Sequence, residues 1–458
     1  MTKQNEKMKH EINMCEGPLL PKLLLFSIPL VISGILQLLF NAADMIVAGK
    51  FAGSTALGAV GSTSSIINLM INVFMGMSVG TNVLVAHYYG AKKAEELQDT
   101  VHTSIALSLV CGVILAFSGY FLSGPLLRLM GTPEEILPHA IVYMQIYFIG
   151  IPGLLLYNFG AAILQAIGDT KRPLWFLILA GIVNVILNLI FVICFQAGVA
   201  GVALATIISQ FISAGLVLYC LVHDDAAYRL NLRKIALQKD KVQRIMRVGL
   251  PAGFQGAIFS ISNVLIQSSV NTFGPIAVAG NTAACNLEGF VYNAMNSIHQ
   301  TAISFTSQNM GANKPKRIGR IAAICLSLVT VIGVVLGGIE LIFSHTLLSF
   351  YTNDPSVIAY GKTRLIYIVT LYFICGWMDV IVGVLRGMGY AIMPTVVSLI
   401  GACGLRVLWI FTVFASHRSL EVLYTSYPVS WAVTFAVHMV CFVILYRKLL
   451  QKSRKVSN

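Results

Sequence analysis

Four acids lie well inside long apolar runs of this chain: Asp44, Glu288, Glu340 and Asp379. A carboxylate held at mid-membrane costs about 2.5–3.5 kcal/mol on insertion scales, so each one asks for a chemical reason. Asp44 is the sharpest case. Gln37 and Asn41 precede it at helical spacing, which puts the three polar groups on one face. Asn184 and Asn188 stand at i, i+4 in another apolar run, and Thr206 follows in the next. Amides and a hydroxyl around one carboxylate make a pocket that takes up a proton or a sodium ion. A residue that only glued helices together would be an amide, which is cheaper to bury than a charge. Asn68 and Asn72 form a pair of that kind and are read as helix glue.

The second half of the chain carries a different set. Glu288, Tyr292 and His299 lie near one helical face, with Asn296 between them. Asp379 and Arg386 are seven residues apart, two turns on one face. Arg406 lies deep in an apolar run, and pairing with Asp379 or Glu288 is the economical way to keep it there. The alternative is a gate or a substrate contact. His299 reads as a satisfied polar residue, and Glu340, near a run's outer end, as an acid reaching the interface. Phe254, Tyr292 and the methionines between 70 and 77 are candidate cavity lining.

Long apolar helices must position these groups. Of the 458 residues, 57% are hydrophobic and 11% charged, against about a quarter charged in soluble proteins. The charges cluster between apolar runs of roughly twenty residues, the length that spans a bilayer core. The expected architecture is all-α and polytopic, with about twelve spans at 19–48, 57–88, 98–123, 138–165, 173–196, 199–222, 246–271, 276–309, 321–344, 360–387, 394–415 and 424–446. Pro29, lacking an N–H, lets the first helix bend.

The net charge of +13 is topological. Of the 31 Lys and Arg, 25 fall on the side of the N-terminus and five on the other: Lys50, Arg128, Lys362, Arg364 and Arg418. The positive-inside rule then puts both termini in the cytoplasm of an inner-membrane protein and removes nucleic acid as a partner. The nine cysteines form no CxxC pair and read as small apolar residues. The first apolar run is long enough to stay in the membrane, so no cleaved signal is expected.

The chain repeats itself. At an offset of 222, Pro29 matches Pro251, Gly34 matches Gly256 and Asn41 matches Asn263. At 221, Gly90-Ala91 matches Gly311-Ala312, and LQAIG at 164–168 matches LRGMG at 385–389. Six spans in each half start both halves on one side, as in parallel-repeat transporters. The expected division is a cytoplasmic segment 1–16, an N-lobe 17–222, a basic cytoplasmic linker 223–245, a C-lobe 246–450 and a tail 451–458. The linker would be a hinge or tether, and such duplication supports two bundles rocking around a central cavity. No nucleotide loop GxxxxGK[ST], no HExxH and no GxSxG is present, so no enzyme and no cofactor are expected. An ion gradient then has to drive any uphill transport.

The stretches EGPLLPKLLLFSIPL, NAADMIVAG, LQAIGDTKRPLWFLILAGIVNVILNLIFV, ISFTSQNMGA, VLRGMGY and LRVLWIF, in that order, resemble the multidrug and toxic compound extrusion (MATE) family over about 17–450. The resemblance implies twelve helices in two lobes, secondary efflux of lipophilic and often cationic compounds, and a working monomer. It also implies an N-lobe ion site of Asp44, Asn184 and Thr206. The family's second acid falls at Asn188, so this chain departs from the pattern there, which favours protons over sodium. A related superfamily branch flips lipid-linked precursors. That activity calls for a basic lumen, whereas here only Arg406 reads as clearly deep.

Overall fold

The computed structural model describes residues 11–457; residues 1–10 of the polar N-terminal segment and Asn458 of the tail lie outside that range. The described chain is predominantly helical, with no strand among the described residues. The long helices are α1 (Leu19–Val47, continued by a π-helical turn Ala48–Ala52), α2 (Ser54–Gly90), α3 (Ala94–Leu129), α4 (Leu137–Ala166), α5 (Lys171–Leu189, continued by a π-helical turn Ile190–Cys194) and α6 (Gly198–His223). The second half holds α7 (Lys239–Asn271), α8 (Pro275–Gly311), α9 (Pro315–Ile342), α10 in two arms (Pro355–Val369 and Tyr372–Gly387), α11 (Ile392–Phe414) and α12 (Leu420–Ser457).

Ten of these helices are long and apolar enough to cross a bilayer. The two arms of α10 pass that test together, although they bend by 46° at the break. That span therefore starts near Pro355 and is broken, where the hydropathy pattern suggests one segment over 360–387. The twelfth, α8, is 37 residues long but polar. Its Asn281, Glu288, His299, Gln308 and Asn309 are all buried, so their polarity faces protein and not lipid.

The repeat is visible in the backbone. Gly53 (φ 92°) and Gly274 (φ 91°) open α2 and α8 from matching positions. Lys92 (φ 57°) and Asn313 (φ 53°) follow those helices in the left-handed region, and Gly168 (φ 102°) matches Gly389 (φ 92°). A bulky side chain is disfavoured at such angles. Gly168 has a second reason to be glycine, because a Cβ there would lie 2.5 Å from the carbonyl oxygen of Ile12.

The chain folds as two compact units. Among the described residues, one holds Ile35–Gly253 with residues 11–13, the other Met14–Gly34 with residues 254–457. The boundaries thus fall inside α1 and α7 and not in the 223–245 linker. In the first unit α4 packs on α2, α3 and α6; in the second α8 packs on α9 and both arms of α10. Glu11 is tied into the first unit by hydrogen bonds donated by Tyr89 (2.6 Å) and Tyr228 (3.0 Å). Burial, with Glu11 and Asp224 alongside, pushes the Tyr228 phenol well up, which keeps it a donor.

Candidate functional site

Asp44 lies one turn before the π-helical end of α1, and Asn188 stands just before the matching π-helical end of α5. Single π turns of this kind interrupt helices frequently at functional sites. Within the first unit the Asn188 amide donates to Asp44 Oδ1, and Thr206 Oγ1 on α6 donates to Oδ2 at 3.4 Å. Asn188 also donates to Asn184 Oδ1 at 3.4 Å. Asn184 and Asn188 are 5% and 1% exposed. Asn188 Oδ1 has no hydrogen-bond partner among the described residues, an orphaned acceptor beside the carboxylate. Three helices therefore bring together Asp44, Asn184, Asn188 and Thr206. Gln37 and Asn41 share the helix with Asp44 but are exposed and stay outside this cluster. Asn68 is exposed and Asn72 half-buried.

Packing sets the position of Asp44. Phe40, one turn earlier on α1, lies over Gly181 of α5; a Cβ on Gly181 would come within 2.0 Å of its ring. Gly181 in turn precedes Asn184 by three residues. Gly181→Val is therefore expected to push α1 off α5 and to lower dye efflux at least tenfold. Overpacking of this kind costs about 1–3 kcal/mol, so the protein should still run as a monodisperse peak on size exclusion. Wild-type efflux from that variant would show that the Phe40 contact does not position the acid.

The second unit arranges its charges differently from the sequence expectation. Glu288 pairs not with Arg406 but with Arg364 on the first arm of α10, in a fork of two bonds at 2.9 and 2.8 Å. Both residues are 5% exposed. Arg364 also donates to Asn281 at 2.9 Å and lies beside the Tyr424 and Tyr427 rings. It was expected at the outward surface; the early start of α10 at Pro355 carries it inside. Glu340 is likewise buried, 7% exposed. The short helix Ser344–Ser349 packs back on the end of α9, and Glu340 Oε2 has no hydrogen bond among the described residues.

Among the described residues neither Arg386 nor Arg406 forms an ion pair with Asp379. Arg386, buried although expected among the cytoplasmic charges, donates to Gln255 at 2.9 Å. Arg406 donates to Ser430 at 2.9 Å and stacks on the Tyr427 ring at 4.2 Å, with Trp431 at 5.6 Å. His299 donates through Nδ1 to the main-chain oxygen of Asp379 at 2.6 Å, a satisfied polar contact. Asp379, Tyr292, Tyr372, Arg406, Tyr427 and Trp431 line a cavity of about 140 Å³. Phe254 is half-exposed and is not among the residues lining it. The α12 aromatics were not singled out from the sequence, although Tyr427 and Trp431 stand at i, i+4. No group of three or more His, Cys, Asp or Glu able to hold a metal occurs among the described residues.

The MatE family model matches residues 29–190 and 251–412, one match in each repeat. The chain belongs to the MatE family. It is 30% identical over 393 residues to the probable multidrug resistance protein YpnP of Bacillus subtilis, covering 85% of this chain and 87% of that protein. It is 28% identical over 434 residues to the probable multidrug resistance protein YoeA of the same organism, covering 93% of each. A solved structure, the outward-facing conformation of a multidrug resistance MATE family transporter of the MOP superfamily, matches with a TM-score of 0.89 at 21% identity, covering 96% of this chain and 98% of that one. That likeness speaks for the fold. As a MatE member the chain is a multi-pass membrane transporter and not an enzyme.

Proposed function

We propose that this MatE chain exports lipophilic, often cationic organic compounds in exchange for protons taken up at Asp44. It would work as a monomer in the inner membrane, with both termini in the cytoplasm, by rocking of its two repeats. The relatives YpnP and YoeA are named probable multidrug resistance proteins, which supports drug export. The observation that carries the coupling reading is the single carboxylate in the Asp44 cluster, with the neutral amide of Asn188 beside it. A sodium site wants several hard oxygen ligands and compensating charge, and one carboxylate where the family pattern has two weakens it. A proton wants a carboxylate whose partner can switch roles. Asn188 fits that need: its amide donates to the carboxylate, and turned over it offers the orphaned Oδ1 to a protonated Asp44. The second-unit cavity offers a compound in transit one acid, Asp379, and one cation, Arg406, among the rings of Tyr292, Tyr372 and Trp431.

Transport of a fluorescent cationic dye in proteoliposomes under separately imposed gradients tests this reading. Uptake should follow an imposed proton gradient, collapse with a protonophore and persist without sodium. A strict sodium requirement would overturn the ion assignment. Flipping of a lipid-linked precursor is the second reading, favoured only by Arg386 and Arg406, which form no ion pair among the described residues; a further buried arginine, Arg364, is neutralised by Glu288.

A further inference from the structure

The linker after α6 is a pinned segment with a one-sided surface. Tyr228 and Leu230 are buried anchors, 2% and 1% exposed. The Leu230 N–H donates to the Leu221 carbonyl at 2.8 Å. The Asn231 N–H donates to His102 Nε2 at 2.9 Å, and the Gln238 N–H to Thr103 Oγ1 at 3.4 Å. Asn231 Oδ1 caps the short turn Leu232–Lys234 by accepting from the Arg233 N–H. The shape of the segment is thus set by its own bonds to α3 and α6.

This shape turns outward three cations and two leucines, with Asp225 and Asn231 exposed beside them. Arg229, Arg233 and Lys234 are exposed, as are Leu232 (59%) and Leu237 (49%). Three nearby cations of the same unit have carboxylate partners: Arg172 meets Asp169 and Asp224, Lys241 meets Glu96, and Arg244 meets Asp240. Arg229, Arg233 and Lys234 form no ion pair among the described residues. They line, with Gln98 and His102, a groove of about 480 Å³. The groove lies where α3 begins, α6 ends and α7 begins, at one end of the membrane helices.

We infer that this groove binds the headgroup of an anionic phospholipid, with Leu232 and Leu237 seated in the adjoining acyl region. Unpaired cations beside exposed leucines fit a membrane–water boundary that carries negative phosphates. Clustered Lys and Arg next to membrane helices attract such lipids over neutral ones. Apolar side chains on a basic segment add burial to that attraction.

The test uses the full-length protein in detergent, with native mass spectrometry and thermal melts. The additives are phosphatidylglycerol, phosphatidylcholine or inorganic phosphate. Phosphatidylglycerol should persist as an adduct and raise the melting temperature, with the other two having no effect. Arg229→Gln/Arg233→Gln/Lys234→Gln should weaken phosphatidylglycerol binding at least tenfold. Should that triple variant fail to fold, Arg233→Glu alone, at an exposed position, should lower binding by at least threefold. Wild-type phosphatidylglycerol binding by the folded variants would overturn the inference. So would stabilisation by inorganic phosphate equal to that by the lipid, which would make the groove a site for soluble anions.

Discussion

Asp44→Asn is expected to abolish coupled efflux, lowering initial dye transport in vesicles by more than tenfold while leaving the protein folded. Asparagine keeps the size of the side chain and an oxygen able to accept from Asn188 and Thr206, which now bond the carboxylate. It cannot take up and release a proton. The change therefore separates the chemistry of the acid from its packing, which Asp44→Ala would not do. The variant should melt within a few degrees of the wild type and still bind the dye. Undiminished uphill efflux by Asp44→Asn would remove Asp44 as the coupling group, and attention would move to Asp379 and Glu340.

The largest stability effect should come from Arg364→Ala. Removing one partner of a buried ion pair leaves the other as an uncompensated charge, at a cost of about 3–5 kcal/mol. Here the loss would strand Glu288 and would also take a bond from Asn281, which accepts from both Arg364 and Tyr424. The double change Arg364→Met/Glu288→Met should recover part of the loss, because two apolar side chains of similar size need no pairing. Thermal melts of the purified protein in detergent read both effects. A melt of Arg364→Ala matching the wild type would mean the guanidinium is dispensable. Equal melts for the single and double variants would mean that Glu288 does not depend on it.

These two sites differ in how far they could be read without coordinates. The Asp44 cluster was legible because its members repeat at helical spacings on spans that hydropathy already delimits. What spacing could not supply was contact: it grouped Gln37 and Asn41 with Asp44, and the structure leaves both exposed. The partner of Glu288 was not legible. Arg364 lies at the edge of the hydropathy-derived span 360–387, where one turn of helix decides between surface and interior. The one signal available was on α8, where Asn281 and Glu288 stand two turns apart on one face and together need a donor.

The sequence by itself determined the membrane-spanning class, the duplication and the positions that need unusual backbone. The reason is that these depend on local quantities. Apolar run length sets a span, and left-handed φ at Gly53/Gly274 and Gly168/Gly389 selects glycine wherever the repeat places it. Tertiary structure alone decided which charges meet. It broke α10, buried Arg364 and Glu340, and seated Arg406 on aromatic rings and not on an acid. It also placed the unit boundaries inside α1 and α7. Those outcomes depend on where helices far apart in the chain lie against each other, and hydropathy carries no term for that.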